Sequence, residues 1–324
     1  MKIKFFSKIL KLCIIIAVLC SISFYFNDRL IKEYSYQCAD STEVLLTGSS
    51  LTSWGLDPAL IKNSENISQR AEPNIINYFK LREILKQDNS INKIVISTGL
   101  QEMNFKGNVF YGKKSVSSEM FSRLVSLREV VLPKELTVLN VDRLNYMEVF
   151  IRYRIFPHFN YIKRWLRGAE KKGDSKDLVH SRGFVNGEGS KYSTYNKKEY
   201  GSFIAEHFNS GDFNSRYNDI NISYIDSIGE LCEEKDIELI LLAFPIRQEV
   251  YRLIPDCYHE YYENFKSNVI EKNNYKFIDY AHLGDSTWFM DYVHLNWKGA
   301  GELSKNLNIV LNQKKIVRMT SVKY

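Results

Sequence analysis

The stretch that decides the fold runs from Val44 to Pro58 and reads VLLTGSSLTSWGLDP. Four residues of strand-like, apolar character lead into Gly48-Ser49-Ser50, and a proline-containing turn follows. A serine on a tight turn directly after a buried strand has two interpretations. Ser50 either caps the start of a helix, a role that serine often fills, or directs its hydroxyl at a substrate as a nucleophile. The rest of the chain has to decide between them.

Around this stretch, short apolar strands alternate with helical patterns. The predicted strands are Glu43–Gly48, Asn92–Thr98, Ile237–Pro245 and Tyr275–Tyr280, and the predicted helices are Asn74–Gln87, Tyr224–Asp236 and Asn296–Leu311. This order predicts an α/β fold, a three-layer αβα sandwich with a central parallel sheet covered by helices on both faces. Ligands bind such sheets outside the carboxyl ends of the strands.

One block, from about Asn104 to Asp219, departs from the strand–helix alternation. It contains two helical stretches, Ser117–Val130 and Asp142–Arg167, followed by the polar loop Gly168–Gly201. We interpret it as a mostly helical insertion between two strands of the sheet domain. A lid or a wall of the substrate site is a better interpretation than a second domain.

The N-terminus has the pattern of a membrane anchor. Four lysines (Lys2, Lys4, Lys8 and Lys11) precede the apolar run Leu12–Phe26, which orients the run with its N-terminus in the cytoplasm. We therefore divide the chain into a basic stub and anchor (1–28), a connector (29–42), the main domain (43–313) and a tail (314–324). A cleaved signal peptide is the alternative. Either interpretation places the main domain outside the cytoplasm, and the anchor makes the protein a single-pass protein of the cytoplasmic membrane.

Charge and cysteine usage exclude two other classes of protein. The net charge is +6 with lysine and arginine spread along the chain, so we expect no nucleic-acid partner. The five cysteines form no complete disulfide framework, and neither they nor the six histidines have the spacing of metal ligands. We expect no metal and no cofactor. Cys232, within an amphipathic helix, is predicted to pack in the core.

A second group of chemically capable residues lies near the C-terminus, in MDYVHLNWKGA (Met290–Ala300). Asp291 precedes His294 by three residues, so one short segment delivers both side chains. With Ser50 they match a Ser/His/Asp arrangement: Ser50 as nucleophile, His294 as general base and Asp291 as the carboxylate that orients the imidazole. The alternatives are a structural histidine at 294 and an aspartate at 291 that only caps the final helix.

With these residues in place, the chain resembles the SGNH (GDSL-type) hydrolase superfamily. The resemblance rests on Gly48-Ser49-Ser50 and Asp291-x-x-His294, with weaker matches in NIS (Asn66–Ser68) and GLQE (Gly99–Glu102). It implies an oxyanion hole made by Ser50, the backbone N–H of Ser68 and the side-chain amide of Gln101. Ser68 stands where the family has glycine and Gln101 where it has asparagine. An ordinary loop amide is the alternative for Gln101.

Within that superfamily, the chain looks most like membrane-anchored bacterial proteins similar to D-alanyl lipoteichoic acid transfer proteins and exopolysaccharide O-acetyltransferases. The resemblance implies acyl transfer through an acyl-Ser50 ester, by an esterase or an O-acyltransferase. We expect an acetyl group, a cell-surface polysaccharide or other acylated glycan as substrate, and a multi-pass membrane acyltransferase as partner. The alternative is a degenerate member that binds glycan or assembles an envelope-biosynthesis complex. Arg247 is interpreted as a solvated charge, with contact to an anionic substrate as the alternative.

Overall fold

The computed structural model describes residues 2–33, 38–69, 72–87, 90–103, 183–185, 197–208, 215–272 and 275–313. The chain divides into two compact units, the first made of Met1–Gln37 and Gly107–His180, and the second of Cys38–Lys106 and Ser181–Tyr324. The helices predicted at Ser117–Val130 and Asp142–Arg167 lie outside the described residues, as does most of the loop Gly168–Gly201. The second unit contains the sheet and the residues of the candidate site.

In the first unit, helix α1 spans Lys2–Glu33. Its segment Phe5–Ser23 has 19 residues, a mean hydropathy of 2.3 and no part buried in the structure. That length and composition are sufficient to cross a bilayer. The helix begins before the predicted apolar run and continues past its end at Phe26, so the connector is shorter than expected.

The second unit is built on five parallel strands: β1 (Val44–Thr47), β2 (Ser64–Asn66), β3 (Lys93–Ser97), β4 (Glu238–Ala243) and β5 (Lys276–Asp279). Their order in the sheet is β2-β1-β3-β4-β5, and every neighbouring pair is parallel. The α/β class and the parallel sheet are confirmed. Four strands coincide with predicted ones, and β2 was not predicted.

Seven helices are described in this unit. They are α2 (Ser50–Gly55), α3 (Asn74–Ile84), α4 (Lys197–His207), α5 (Ser215–Glu233), α6 (Gln248–Tyr251), α7 (Asp256–Lys272) and α8 (Trp297–Asn312). Short 3-10 turns at Pro58–Leu60, Leu100–Met103 and Ser286–Trp288 complete the described elements. The helices predicted from the periodic patterns correspond to α3, α5 and α8.

The core forms where apolar strands meet apolar helix faces. One cluster joins Leu46 of β1, Val95 of β3 and Leu242 of β4 to Leu303 and Leu307 of α8, all of them buried. Residues four apart on a helix lie on the same face, so α8 turns this stripe toward the strands. Because α8 packs here, the segment just before it is held near the strand ends.

Helix α5 buries a stripe made of Ile225, Ile228 and Cys232. Spacings of three and four residues place these side chains on one face of the helix. Burial raises the pKa of the Cys232 thiol to about 12, which keeps the thiol protonated and unreactive. The prediction that Cys232 packs in the core is confirmed. The helix begins at Ser215, inside the block predicted to be an insertion.

Candidate active site

The turn after β1 requires glycine at its first position. Gly48 has φ +134°, a region that side chains other than hydrogen rarely allow. A Cβ at this position would lie 2.3 Å from Ser97 Oγ and 2.6 Å from Thr52 Oγ1. Glycine therefore lets β1 turn abruptly into α2 at the carboxyl edge of the sheet.

Ser49, and not Ser50, caps the helix that follows. The hydroxyl of Ser49 accepts the N–H of Leu51 at 3.3 Å, and Ser49 has the extended backbone of an N-cap. Ser50 is the first residue of α2. Ser49 therefore takes the capping role that was considered for Ser50, and the hydroxyl of Ser50 is not used for capping.

The structure brings Ser50, His294 and Asp291 together from opposite ends of the chain. Ser50 Oγ lies 2.8 Å from His294 Nε2, across 244 positions of sequence. His294 Nδ1 lies 2.8 Å from Asp291 Oδ2. With a proton on Nδ1 donated to the carboxylate, Nε2 is the acceptor for the hydroxyl of Ser50. This is the connectivity that nucleophile, base and orienting carboxylate require.

Asp291 is fixed by the backbone that follows it. Its Oδ1 accepts the N–H groups of Val293 at 2.9 Å and His294 at 2.7 Å. Burial opposes ionisation of this carboxyl, but the hydrogen bonds from His294 and Val293 lower its pKa below the ordinary value. The cap of α8 is Asn296, so the interpretation of Asp291 as the helix cap is wrong.

The three predicted oxyanion donors differ in whether the protein already provides a hydrogen-bond acceptor for them. As the first residue of α2, Ser50 has a backbone N–H with no acceptor inside the helix, beside its own hydroxyl. The N–H of Ser68 donates to Asn66 Oδ1 at 3.0 Å. Gln101 Nε2 donates to the carbonyls of Pro245 at 3.0 Å and Phe244 at 3.4 Å. In this arrangement Ser68 and Gln101 have their donors engaged by the protein.

The loop that carries Ser68 rests on a buried ion pair. Lys80 and Glu72 form it with both side chains fully buried. Lys80 Nζ also donates to the carbonyl of Ile67 at 2.7 Å, and Glu72 Oε2 accepts the N–H of Gln69 at 3.1 Å. The Lys80–Glu72 ion pair therefore holds both neighbours of Ser68, Ile67 and Gln69, and so fixes the position of the Ser68 backbone.

An acidic residue beside the turn that carries Ser50 (residues 48–50) was not singled out from the sequence. Glu102 Oε1 accepts the hydroxyls of Ser49 at 2.6 Å and Ser97 at 2.7 Å. Burial raises the pKa of Glu102, and the two serine hydrogen bonds oppose that rise. The available signal was its place directly after Gln101, at the carboxyl end of a buried strand.

Aromatic side chains surround the segment that carries Asp291 and His294. The rings of Tyr292 and Tyr200 are 4.8 Å apart, and those of Tyr292 and Phe203 are 4.7 Å apart, so α4 packs on this segment. The ring of Trp54 lies 6.4 Å from that of His294. These contacts restrict where the segment between Asp291 and His294 can move.

Arg247 has a different environment from the one predicted. Its side chain is only 3% exposed, and its guanidinium lies 5.3 Å from the ring centroid of Tyr200. The interpretation as a solvated charge is therefore wrong. The guanidinium instead packs against the ring of Tyr200 in α4, and its Nε lies 3.8 Å from Glu249 Oε2.

Comparisons with known proteins give little further information. A family model without a functional description matches residues 205–315, about a third of the chain. No curated protein matches significantly. One solved structure, from Streptococcus pneumoniae and described in terms of platelet activating factor, matches with 12% identity and a TM-score of 0.39. The match covers 95% of this chain and 99% of that one, but similarity at this level carries no argument about fold or function.

Proposed function

We propose that the protein is a membrane-anchored serine esterase or O-acyltransferase that works outside the cytoplasm. The observation that supports this proposal best is the contact chain from Ser50 Oγ through the imidazole of His294 to Asp291, with both distances 2.8 Å. A purely structural histidine needs no serine hydroxyl on one nitrogen and a fixed carboxylate on the other. The combination is what nucleophilic catalysis at neutral pH requires.

The proposed reaction has two steps with balanced proton transfers. His294 Nε2 takes the proton of Ser50 as Oγ attacks the acyl carbonyl, and the N–H of Ser50 donates to the oxygen that becomes negative. His294 then protonates the leaving alcohol, and acyl-Ser50 remains. In the second step water or a glycan hydroxyl gives its proton to His294 and attacks the ester. His294 returns that proton to Ser50 as the acyl group leaves.

The topology supports a substrate at the cell surface. Helix α1 is long and apolar enough to span a membrane, and the lysines at its start favour an N-terminus in the cytoplasm. Outside the cytoplasm there is no ready supply of acyl-coenzyme A. A transferase of this kind needs a multi-pass membrane partner that hands over the acyl group. We propose acetyl as the acyl group and a cell-surface polysaccharide as the glycan.

The fold agrees with the proposed SGNH relationship. The strand order β2-β1-β3-β4-β5 is that of flavodoxin-like doubly wound sheets. Such sheets have helices on both faces, which is the basis for proposing a three-layer αβα sandwich. Ser50 follows β1 and Gln101 follows β3, the neighbouring strands at which the connections change direction. Ligands bind these sheets at that point.

A second candidate function is a catalytically degenerate protein of the same fold. The observation in its favour is that Ser68 and Gln101 both donate to protein acceptors. Of the three predicted oxyanion donors, only the N–H of Ser50 has no acceptor among the residues that the structure describes. Such a protein would bind glycan or assemble an envelope-biosynthesis complex without transferring an acyl group.

Labelling with a fluorophosphonate, which traps activated serines, separates the two candidates. We expect the parent protein to be labelled at Ser50 and to hydrolyse an activated acetyl ester. The matched variants are Ser50→Ala, His294→Ala, Asp291→Ala and Ser50→Ala/His294→Ala, each also measured for thermal unfolding. The single Ser50 variant and the double variant should be equally inactive, because without Ser50 the imidazole has nothing to activate.

Asp291→Ala should retain more activity than Ser50→Ala, because an imidazole that is no longer oriented still accepts the proton in some encounters. Two results would favour the second candidate, a protein that binds without catalysis. The first is a parent protein that is not labelled. The second is a set of variants whose losses of activity are additive and parallel their losses of unfolding temperature.

A further inference from the structure

We propose that Glu102 is a positioning residue for the nucleophile, which fixes the backbone on both sides of Ser50 through the hydroxyls of Ser49 and Ser97. This inference rests on the proposed role of Ser50. Glu102 does not touch the hydroxyl of Ser50, and it takes no part in the proton transfers described above.

The first relay runs through Ser49. A serine hydroxyl has one proton to donate and two lone pairs that accept. Ser49 donates its proton to Glu102 Oε1 at 2.6 Å, which leaves its lone pairs for the N–H of Leu51 at 3.3 Å. Glu102 thereby sets the direction in which the capping hydroxyl points, and the cap holds the peptide that follows Ser50.

The second relay runs through Ser97 at the end of β3. Its hydroxyl donates to the same oxygen, Glu102 Oε1, at 2.7 Å and accepts the N–H of Ser49 at 3.4 Å. The N–H groups of Ser49 and Leu51, one on each side of Ser50, are therefore both bound by a serine hydroxyl that donates to the same oxygen, Glu102 Oε1. The N–H of Ser50 lies between these two N–H groups, so the two relays fix the peptides that determine its direction.

Glu102 as a residue is half-buried, but its second carboxyl oxygen, Oε2, is buried and has no hydrogen-bond partner among the described residues. Burying a carboxyl costs free energy unless hydrogen bonds compensate for it, so a residue that only filled space here would be apolar. A carboxylate accepts two hydroxyl protons on one oxygen without donating any, so both serines are forced to act as donors toward it. An alanine at 102 would free both hydroxyls to rotate. The serine cap and the β3 contact would then lose their fixed directions, while the apolar core of β1 and β3 stays intact.

The test is the rate of fluorophosphonate labelling of Ser50 in the full-length protein, measured over a range of reagent concentrations. Glu102→Ala should lower the maximal rate by up to about 10²-fold, as a small misplacement of a reacting group does, with the half-saturating concentration unchanged. Glu102→Gln should restore the rate to within about threefold of the parent, because its Oε1 can accept the same two hydroxyls.

Ser304→Ala is the matched control. It removes a buried serine hydroxyl that accepts the N–H of Asp57 at 2.8 Å, away from the turn that carries Ser50. It should lower the unfolding temperature without changing the labelling rate. Should Glu102→Ala fail to fold, Ser49→Ala takes its place, since it breaks the first relay and leaves the acid.

Two results would overturn the inference while leaving the proposed function intact: a labelled parent with a folded Glu102→Ala (or Ser49→Ala in its place) that is labelled at the same rate, or a Glu102→Gln variant as slow as Glu102→Ala. A parent that is not labelled at Ser50 overturns the proposed function, and the inference with it.

Discussion

The three residues of the turn after β1, at positions 48–50, have three separate roles. Gly48 adopts φ +134°, Ser49 caps α2, and Ser50 places its hydroxyl against His294. From the sequence, a cap and a nucleophile were alternatives for Ser50 alone, and the Asp291 and His294 pair favoured the nucleophile. The sequence could not assign the cap to Ser49, since adjacent serines differ only in where the helix begins.

Gly48→Ala should destabilise the protein and slow the labelling of Ser50. The residue would have to keep a backbone conformation that costs about 1–3 kcal/mol for a side chain other than hydrogen. Its Cβ would also meet Ser97 Oγ and Thr52 Oγ1. Chemical unfolding of the variant and the parent measures the loss of unfolding free energy.

Gly201→Ala is the control for that substitution. Gly201 lies within α4, and a Cβ there would meet no atom of the described residues within 4 Å, apart from its chain neighbours and the backbone of its own helix. Alanine at a helix position should raise the unfolding free energy by up to about 1 kcal/mol. Equal effects of the two substitutions would contradict the assignment of strain to Gly48.

The buried carboxyl of Glu102 predicts a particular dependence of stability on pH. Folding raises its pKa above the ordinary value of 4.5, so the folded state binds this proton more tightly than the unfolded state does. The parent should therefore gain unfolding free energy relative to Glu102→Gln as the pH falls through the raised pKa. The gain should be complete below pH 4.5.

Unfolding of both proteins across this pH range checks the prediction. Groups common to the two proteins cancel in the difference between their unfolding free energies. A difference that stays constant, or one that shrinks on acidification, would show that folding does not raise the pKa of this carboxyl.

Long-range contacts limit what the sequence predicts about Gln101. The sequence placed Gln101 after the end of a strand, and β3 ends at Ser97, whereas Ser68 follows β2, a strand that was not predicted. The hydrogen-bond partners of Gln101 were not predictable. The carbonyls that bind the amide of Gln101 belong to Phe244 and Pro245, which follow a strand far along the chain.

At the scale of elements, strands with strong apolar character were predicted and the weakest was not. Four predicted strands are present, because runs such as ELILLA in β4 are buried at almost every position. Strand β2 contains only Ser64, Glu65 and Asn66, at the edge of the sheet and half-buried. Its three residues have no apolar pattern that predicts a strand, and it becomes a strand because it pairs with β1.

Helix α7 was missed although its buried face has helical spacing. Tyr258, Tyr262, Phe265 and Val269 are all buried, at intervals of four, three and four residues. Three of the four are aromatic and lie among charged side chains, which lowers the apparent hydrophobicity of the segment. The helix could have been predicted from the spacing of these four residues, but not from the average hydrophobicity of the segment.

The start of α8 should be sensitive to loss of Asn296. Its side chain accepts the N–H groups of Lys298 and Gly299 and donates to the carbonyls of Thr287 and Phe289. Asn296→Ala should cost about 2 kcal/mol or more of unfolding free energy, since it removes a cap and leaves carbonyls without a partner. It should also slow the labelling of Ser50, because it loosens the segment that carries His294.

Asp285→Ala is a suitable comparison, measured in the same chemical unfolding and labelling experiments. Asp285 caps the short turn Ser286–Trp288 from an exposed position, so its loss should cost less and leave labelling unchanged. If Asn296→Ala had no larger effect than Asp285→Ala, the cap of α8 would not be a determinant of the site.

At the scale of the whole molecule, part of the predicted insertion belongs to the sheet-containing unit. Gly183 donates to the carbonyl of Ser68 at 3.0 Å, and Val185 donates to that of Ser53 at 2.8 Å. Tyr200 is fully buried. These residues lie within the predicted loop Gly168–Gly201, so deletion of that loop removes contacts of the site as well as any cover. The remainder of the lid prediction concerns residues outside those described.

The orientation of α1 predicts where the C-terminus of the protein lies. The lysines before the apolar segment favour an N-terminus in the cytoplasm, so one crossing puts Tyr324 outside. A reporter fused at Tyr324 that works only in the extracytoplasmic space should be active. A fusion that lacks 2–33 is the control and should lose that activity. Activity of a reporter that works only in the cytoplasm would contradict the topology.

The contact between Ser50 and His294 spans 244 positions of the sequence, and this separation has a consequence during synthesis. The ribosome releases the N-terminal part first, at about 5–20 residues per second. Ser50 leaves the ribosome early, but under the proposed mechanism its hydroxyl has no base to activate it until the segment before α8 has been made and packed. We therefore expect a chain that is still being synthesised to be inert toward a fluorophosphonate, and likewise any truncated product that ends before His294.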